Sequence, residues 1–374
     1  MTDPVARVTV AELETALHCP RRYAFAYVDD LEASDDHAGE NGGPTARADL
    51  LARAITTALR SGEPEAEELL AVASDRLESL WSGHEGSYHS SAQRRHVRAV
   101  LESTLEAYVD QFGVDHARGC RRLLETIERP DDDREHELAT ELIGPDRPLA
   151  ASVQESSAVP ETERTRTADG GDGESAREQS ARIRIDATVD YVTTDGTDLV
   201  GVRFVPSASP LGPLRYRSSW DDELLQLVDD HLEKDNEAFD PGPVAALFET
   251  SVVLEGLRGL RDRLGLPDRP CRYVQLPVAD RWNSSTDWIS GSVETTLEAV
   301  DLTDVYVDER DYAMDHVHRN RAVDDRLTEF AAGVCSGDHD PTDRWRSIEP
   351  NACPECAYAV CCPEYVASEV RFDG

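Results

Sequence analysis

Cys353-Pro-Glu-Cys356, followed after five residues by Cys362, limits this chain more than any other feature of its sequence. Two cysteines separated by two residues reach one metal ion, or two irons of one cluster, from a single turn. Cys362 lies within reach of the same centre, with Cys361 beside it. Three sulfurs leave a tetrahedral site one ligand short, so a fourth must come from elsewhere and the fold must carry it there. Taken alone, the segment also suits a zinc knuckle. At 374 residues the chain can bury a sizeable core and does not need metal merely to fold.

The compartment decides how eight cysteines are read. Met1 to Val10 holds no apolar stretch long enough for a signal peptide, and no apolar run approaches transmembrane length. The expected compartment is the cytoplasm, where cysteines serve as metal ligands or buried thiols and not as disulfides. Buried thiols are the expectation for the isolated Cys120, Cys271 and Cys335.

Acidic residues outnumber basic ones 75 to 38, for a formal charge of −37. Lys234 is the single lysine. The acid excess is spread along the whole chain and has no focus. So large a charge strains a compact fold by self-repulsion, which salt screens. Lysine depletion with abundant Asp and Glu is the composition of proteins from extreme halophiles. An acidic protein that binds a basic partner is the other reading.

Thr9-Val-Ala-Glu12 reads as a capping box opening a helix that runs to about His18. Pro20 suits the first turn of a second helix, Arg21 to Val28. Helical periodicity returns over 46–59, 65–81 and 91–112. Glu135 to Ile143 reads equally as a helix end or a strand. Ser152 to Ser180 has almost no large apolar residue and is expected to be disordered. Ile183, Ile185, Ala187, Val189 and Tyr191 then alternate with polar residues, giving a half-buried strand with Asp186 and Asp190 on its polar face. Thr194-Asp-Gly-Thr197 turns the chain, and Leu199 to Val205 is apolar enough for a central strand. A helix over 244–264, a strand over 271–278 and a helix near 323–334 follow. The expected fold is α/β, with a mixed sheet flanked by helices. Its expected parts are a helical 1–150, an acidic disordered insertion 151–181, a sheet core 182–280 and a helical, cysteine-bearing 281–374.

Leu17-His-Cys19-Pro-Arg-Arg-Tyr23, together with Cys-x2-Cys-x5-Cys near the other end, resembles the iron–sulfur branch of the PD-(D/E)XK nucleases. These are RecB-like exonucleases, AddB-type subunits and cluster-containing CRISPR-associated nucleases. Asp340-Pro341 resembles their approach to the cluster. The resemblance implies a restriction-endonuclease-like sheet. It also implies a [4Fe–4S] cluster on Cys19, Cys353, Cys356 and Cys362, with zinc as the alternative and Cys361 as a non-ligand neighbour. The cluster's role would be structural, joining the two ends of the chain and shaping a DNA-binding surface.

The same resemblance implies Mg²⁺-assisted phosphodiester hydrolysis, with a carboxylate on one strand and carboxylate-x-Lys on the next. Ala187-Thr-Val-Asp190 resembles the family's Gly-x-Ile-Asp. That makes Asp190 the first metal carboxylate, with Asp186 as the alternate. The next strand reads Gly201-Val202-Arg203. Gly201 has no side chain to ligate metal. Arg203 keeps the lysine's charge and can bind phosphate, but its pKa is too high for proton transfer. The family's early-helix His falls where Arg53 stands. Its Gln-x3-Tyr falls on Phe248-Glu249 and Val252-Val253. Lys234 is a surface residue on this reading, with a migrated catalytic lysine as the alternative.

Arg94-Arg95-His96 with Arg98, Arg121-Arg122, His316 to Arg321, and Arg344 with Arg346 form local basic clusters, each expected to be a solvated or ion-paired face. Trp345, Tyr358 and Tyr365 are expected to pack in the core. At molar salt counterion release contributes little, so DNA binding would need direct contacts and stacking. Three functions follow as expectations. The first is a DNA-binding or structural subunit of repair or recombination, beside a helicase or active nuclease. The second is an active exonuclease using Asp186 and Asp190. The third is a zinc-stapled interaction module.

Overall fold

The computed structural model describes residues 5–31, 43–84, 86, 88–127, 139, 141–154, 182–216, 223–234, 236–308 and 317–369. The strands in chain order are β1 (Ala6–Thr9), β2 (Ile143–Gln154), β3 (Arg182–Thr194), β4 (Leu199–Val205), β5 (Cys271–Pro277), β6 (Ser284–Asp287), β7 (Ser292–Thr295) and β8 (Val300–Asp301). Six of them form one mixed sheet in the order β1-β3-β4-β5-β8, with β2 along the opposite edge of β3. β1 runs parallel to β3 and β4 parallel to β5; the other pairings are antiparallel. β6 and β7 make a separate hairpin.

The helices are α1 (Val10–His18), α2 (Pro20–Tyr23, widening into a π-helix over Ala24–Val28), α3 (Pro44–Ser61), α4 (Ala66–Ser82), α5 (Ser91–Tyr108), α6 (Val114–Thr126), α7 (Glu223–Leu232), α8 (Pro241–Arg263), α9 (Leu302–Tyr306), α10 (Arg321–Ser336), α11 (Trp345–Ala352) and α12 (Pro363–Glu369). They flank the sheet as expected for an α/β fold. α3 and α6 pack on β2 and β3, while α8 lies across β2, β3 and β5 and carries α1 on its back. Among the described residues, no helix is long and apolar enough to cross a membrane.

Local signals place several of these elements. Thr9 caps α1 as a full capping box, its hydroxyl accepting from the Glu12 N–H and the Glu12 side chain accepting from the Thr9 N–H. α10 begins on the Asn320 side chain and ends on Gly337 at φ 93°, a conformation glycine adopts without strain. β4 is paired on both edges, which explains its apolar composition.

Three expectations need correction. The sheet is not confined to 182–280, because it takes β1, β2 and β8 from outside that span. β1 is only four residues long and runs into the capping box, so it leaves no alternation to read. β2 contains Gly144-Pro-Asp-Arg-Pro148, a loop-like string, and its register with β3 shifts between Ile143 and Arg147. Residues 151–154, expected in the disordered insertion, complete β2; residues 155–181 lie outside the described residues. The polar face of β3 is not solvated either: Asp186 and Asp190 are only 9% and 6% exposed.

α6, which the sequence did not announce, approaches β3 at Gly119. A Cβ there would sit 2.2 Å from the Thr193 hydroxyl and 2.3 Å from the Thr194 carbonyl oxygen. The same helix delivers His116, whose Nδ1 lies 2.7 Å from the Tyr191 hydroxyl and 3.3 Å from that of Tyr108. Burial lowers the His116 pKa to about 4 from an ordinary 6.5. Between pH 6.5 and 4 the unfolded chain therefore binds a proton here that the folded chain refuses. His116 contributes stability above pH 6.5 that is lost as pH falls toward 4, by about 3 kcal/mol. Urea unfolding at fixed KCl across this range should show that loss. A His116→Gln variant with an unchanged slope would sink this assignment.

Candidate functional site

Two places gather chemistry-bearing side chains. The first is the lobe where the segment around α1 and α2 meets α11 and α12. Cys19 is extended (φ −165°, ψ 118°) between α1 and α2, and Pro20 opens α2. Burial raises the pKa of its thiol, against the lowering effect of the Arg22 and Arg21 N–H groups. Cys362 holds the matching position before Pro363 and α12, and its thiol donates to the Glu364 carboxylate at 3.3 Å. Cys353 precedes Pro354 in a 3-10 turn, Cys353–Glu355. The recurring Cys-Pro has a physical reason. Proline has no N–H to leave unpaired at the first helical position.

Cys19, Ile348 and Cys353 form a buried cluster, with Phe239, Trp345, Ala352 and Tyr365 packed around it. Further contacts tie the two segments together. Arg21 donates to Glu364 at 2.6 Å, the Tyr358 hydroxyl donates to the Leu31 carbonyl at 3.2 Å, and the rings of Phe25 and Tyr358 lie 5.6 Å apart. Trp345, Tyr358 and Tyr365 are thus packing residues, as expected. The Cys353 pKa is pushed up to about 12, by burial first and then by the charges of Cys19, Cys356 and Cys362. Burial likewise pushes Cys362 up to about 11.

The donor set suits a thiolate-bound group. All four cysteines are free thiols, three are buried, and Cys361 is exposed beside them. Arg344 is half-buried, and burial lowers its pKa to about 10, against an upward push from Cys19. Among the described residues, no three or more His, Cys, Asp or Glu side chains are drawn up as the ligand shell of a metal ion. Sulfurs on one zinc ion stand only about 3.8 Å apart, given Zn–S bonds of about 2.3 Å in a tetrahedron. On a cubane cluster each sulfur takes its own iron, so the sulfurs spread wider. Of the isolated cysteines, Cys120 and Cys271 are buried as expected. Cys335 is exposed, because it lies near the open end of α10.

The second place is a fork in the sheet. The β3–β4 ladder runs from Thr194↔Leu199 to Tyr191↔Val202. Asp190, the next residue of β3, turns its carboxylate to the Phe204 N–H at 2.6 Å. Burial raises its pKa to about 7, against the lowering effects of the Phe204 N–H and Arg203; Asp146 adds a smaller upward push. Asp146 sits in the β2 irregularity at φ 56°, a left-handed conformation uncommon for a residue other than glycine.

Arg203 is in register with Gln275 of β5. Its guanidinium is paired to Glu249 of α8, and the Gln275 amide donates to both the Glu249 carboxylate and the Tyr273 hydroxyl at 3.0 Å. Glu249 is buried. It is the one acid in the apolar run Val244–Leu254, a signal the sequence did offer. Gly201 has no room for the carboxylate it lacks. A Cβ there would lie 3.0 Å from Leu257 Cδ1 and 3.4 Å from Val189 Cγ1, so any side chain would have to displace the Leu257 methyls.

Asp186 does not join this group. It is four residues from Asp190, about 13 Å along a strand, and it is held by Arg7 and by Arg184. Arg53 is paired with Asp49 on the surface of α3, and Lys234 is paired with Asp343. Arg98 is paired with Glu102, and Arg344 is packed against His231. His316 lies outside the described residues.

No protein-family model, curated protein or solved structure matches this chain.

Proposed function

We propose that this chain is a RecB-like iron–sulfur protein of the PD-(D/E)XK fold. On this reading it works in the cytoplasm in DNA repair or recombination, as a DNA-binding or structural subunit beside a helicase or active nuclease. The observation that supports it is the meeting of Cys19 with Cys353, Cys356 and Cys362 over a sheet whose fork keeps Asp190 but has no carboxylate on β4. Bound there, a [4Fe–4S] cluster would supply a cross-link between two distant segments. Cys19, Cys353, Cys356 and Cys362 would hold it. Arg203, committed to Glu249, serves the packing of α8 on the sheet.

Asp190 and Asp146 favour a second reading, an active nuclease with a rebuilt site. Mg²⁺ is bound by one or two carboxylates plus water and phosphate oxygens, so this pair suffices without Asp186. Anaerobic preparation in molar KCl, iron and sulfide analysis, and DNA binding and cleavage with Mg²⁺ separate the readings. About four irons per chain and DNA binding without cleavage are expected. Cleavage lost in Asp190→Ala would establish the second reading. Zinc in place of iron and no DNA binding would leave an interaction module.

A further inference from the structure

Beyond the ends of β4 and β5 the chain presents two aromatic rings to solvent, each covered on one side by an arginine. Tyr216, at the end of the 3-10 segment Ser209–Tyr216 that follows β4, is 78% exposed, and the Arg215 guanidinium stands 4.9 Å from its ring centroid. Trp282, which follows β5, is 75% exposed, with the Arg281 guanidinium 4.7 Å from its ring. Asp280 joins the two segments. Its carboxylate accepts from the Ser207 hydroxyl at 2.8 Å and from the N–H groups of Ala208 and Trp282 at 3.2 and 3.1 Å. Arg203 and Gln275 sit just inside the same strand ends.

Core packing does not explain rings this exposed, and they stand out on so acidic a chain. Among the described residues, Arg215 makes one ion pair, a 3.5 Å contact to Glu298, and Arg281 makes none. A ring offers a flat face to any nucleobase, and a guanidinium beside it offers donors to phosphate; this pairing defines sequence-tolerant single-strand binding. Duplex bases are already stacked on each other and cannot use such faces. Stacking also survives the salt that removes counterion-release binding.

We infer that Tyr216 and Trp282, with Arg215 and Arg281, form a stacking platform for single-stranded nucleic acid at the mouth of the sheet fork. The inference rests on the DNA-binding reading and adds the strand form that is bound.

The test is fluorescence anisotropy of a dye-labelled mixed-sequence DNA oligonucleotide, single-stranded or annealed, in molar KCl with the full chain. Trp282→Ala and Tyr216→Ala should each weaken single-strand binding about 5- to 150-fold, the equivalent of about 1–3 kcal/mol per stacked base. Trp288→Ala, at the tip of the β6–β7 hairpin, should leave it unchanged. Wild-type affinity in both platform variants overturns the platform while leaving DNA binding intact. So does binding of duplex alone. Binding of neither form by the wild type overturns the DNA reading together with the platform.

Discussion

On the iron–sulfur reading, Cys19→Ser is expected to lose iron, visible absorption and more than about 4 kcal/mol of stability, the range reached when a protein is deprived of a structural metal. The serine hydroxyl fills almost the same space as the thiol, so packing around Ile348 survives; what disappears is the thiolate. Cys353→Ser should behave in the same way. The agreement between two such distant positions is the informative part, because each is expected to abolish the same centre. Cys361→Ser, with an exposed side chain beside the site, should keep the full iron content and serve as the control. Iron analysis and thermal unfolding at constant KCl read all three. If Cys19→Ser keeps its iron, the four-thiol centre is wrong, whatever the other cysteines do.

Arg203→Ala is expected to cost about 3–5 kcal/mol, because it leaves the Glu249 carboxylate charged and buried without its cation. Glu249→Gln should cost less, since its amide can still meet Gln275 and it removes the charge itself. Replacing both members with methionine should come out near neutral, as buried ion pairs exchanged for apolar side chains of similar volume often do. Denaturant unfolding of the single and double variants at one salt concentration gives the coupling. A cost under about 1 kcal/mol for Arg203→Ala would mean that the guanidinium is not committed to Glu249. It would then be available to a phosphate, and the active-nuclease reading would gain.

Much of this architecture is legible in the residues. Thr9 and Glu12 announce a helix start because the capping box is local. Ile183 to Tyr191 announces a strand because the side-chain period is two. Cys353 and Cys362 announce positions beside prolines that open turns or helices, because Cys-Pro is itself a local signal. What stayed hidden depends on contacts between segments. β1 and β2 are strands only because β3 offers its two edges, and no propensity in Gly144 to Pro148 points that way. The alternation in β3 correctly set Asp186 and Asp190 apart from the apolar residues. Whether that face met water was decided by neighbouring elements, Arg7 claiming Asp186 and Phe204 claiming Asp190. Glu249 lay in plain view as a lone acid in an apolar run. The nuclease helix motif that the sequence resembles would have Gln and Tyr in this helix; Glu249 and its apolar neighbours stand there instead.

The contacts between residues 18–31 and 345–365 make this linear chain a closed circle in space. In a closed circle, one break does not separate the pieces. A protease cut anywhere between those segments would leave two fragments still gripping each other through Arg21 and Glu364, Tyr358 and Leu31, and the facing thiols. The loop that the thiols close is so long that a cross-link there would remove about 6 kcal/mol of freedom from the unfolded chain by the loop-entropy relation. On that accounting, an oxidant that destroyed the centre would act mainly by giving the unfolded chain back its room to wander.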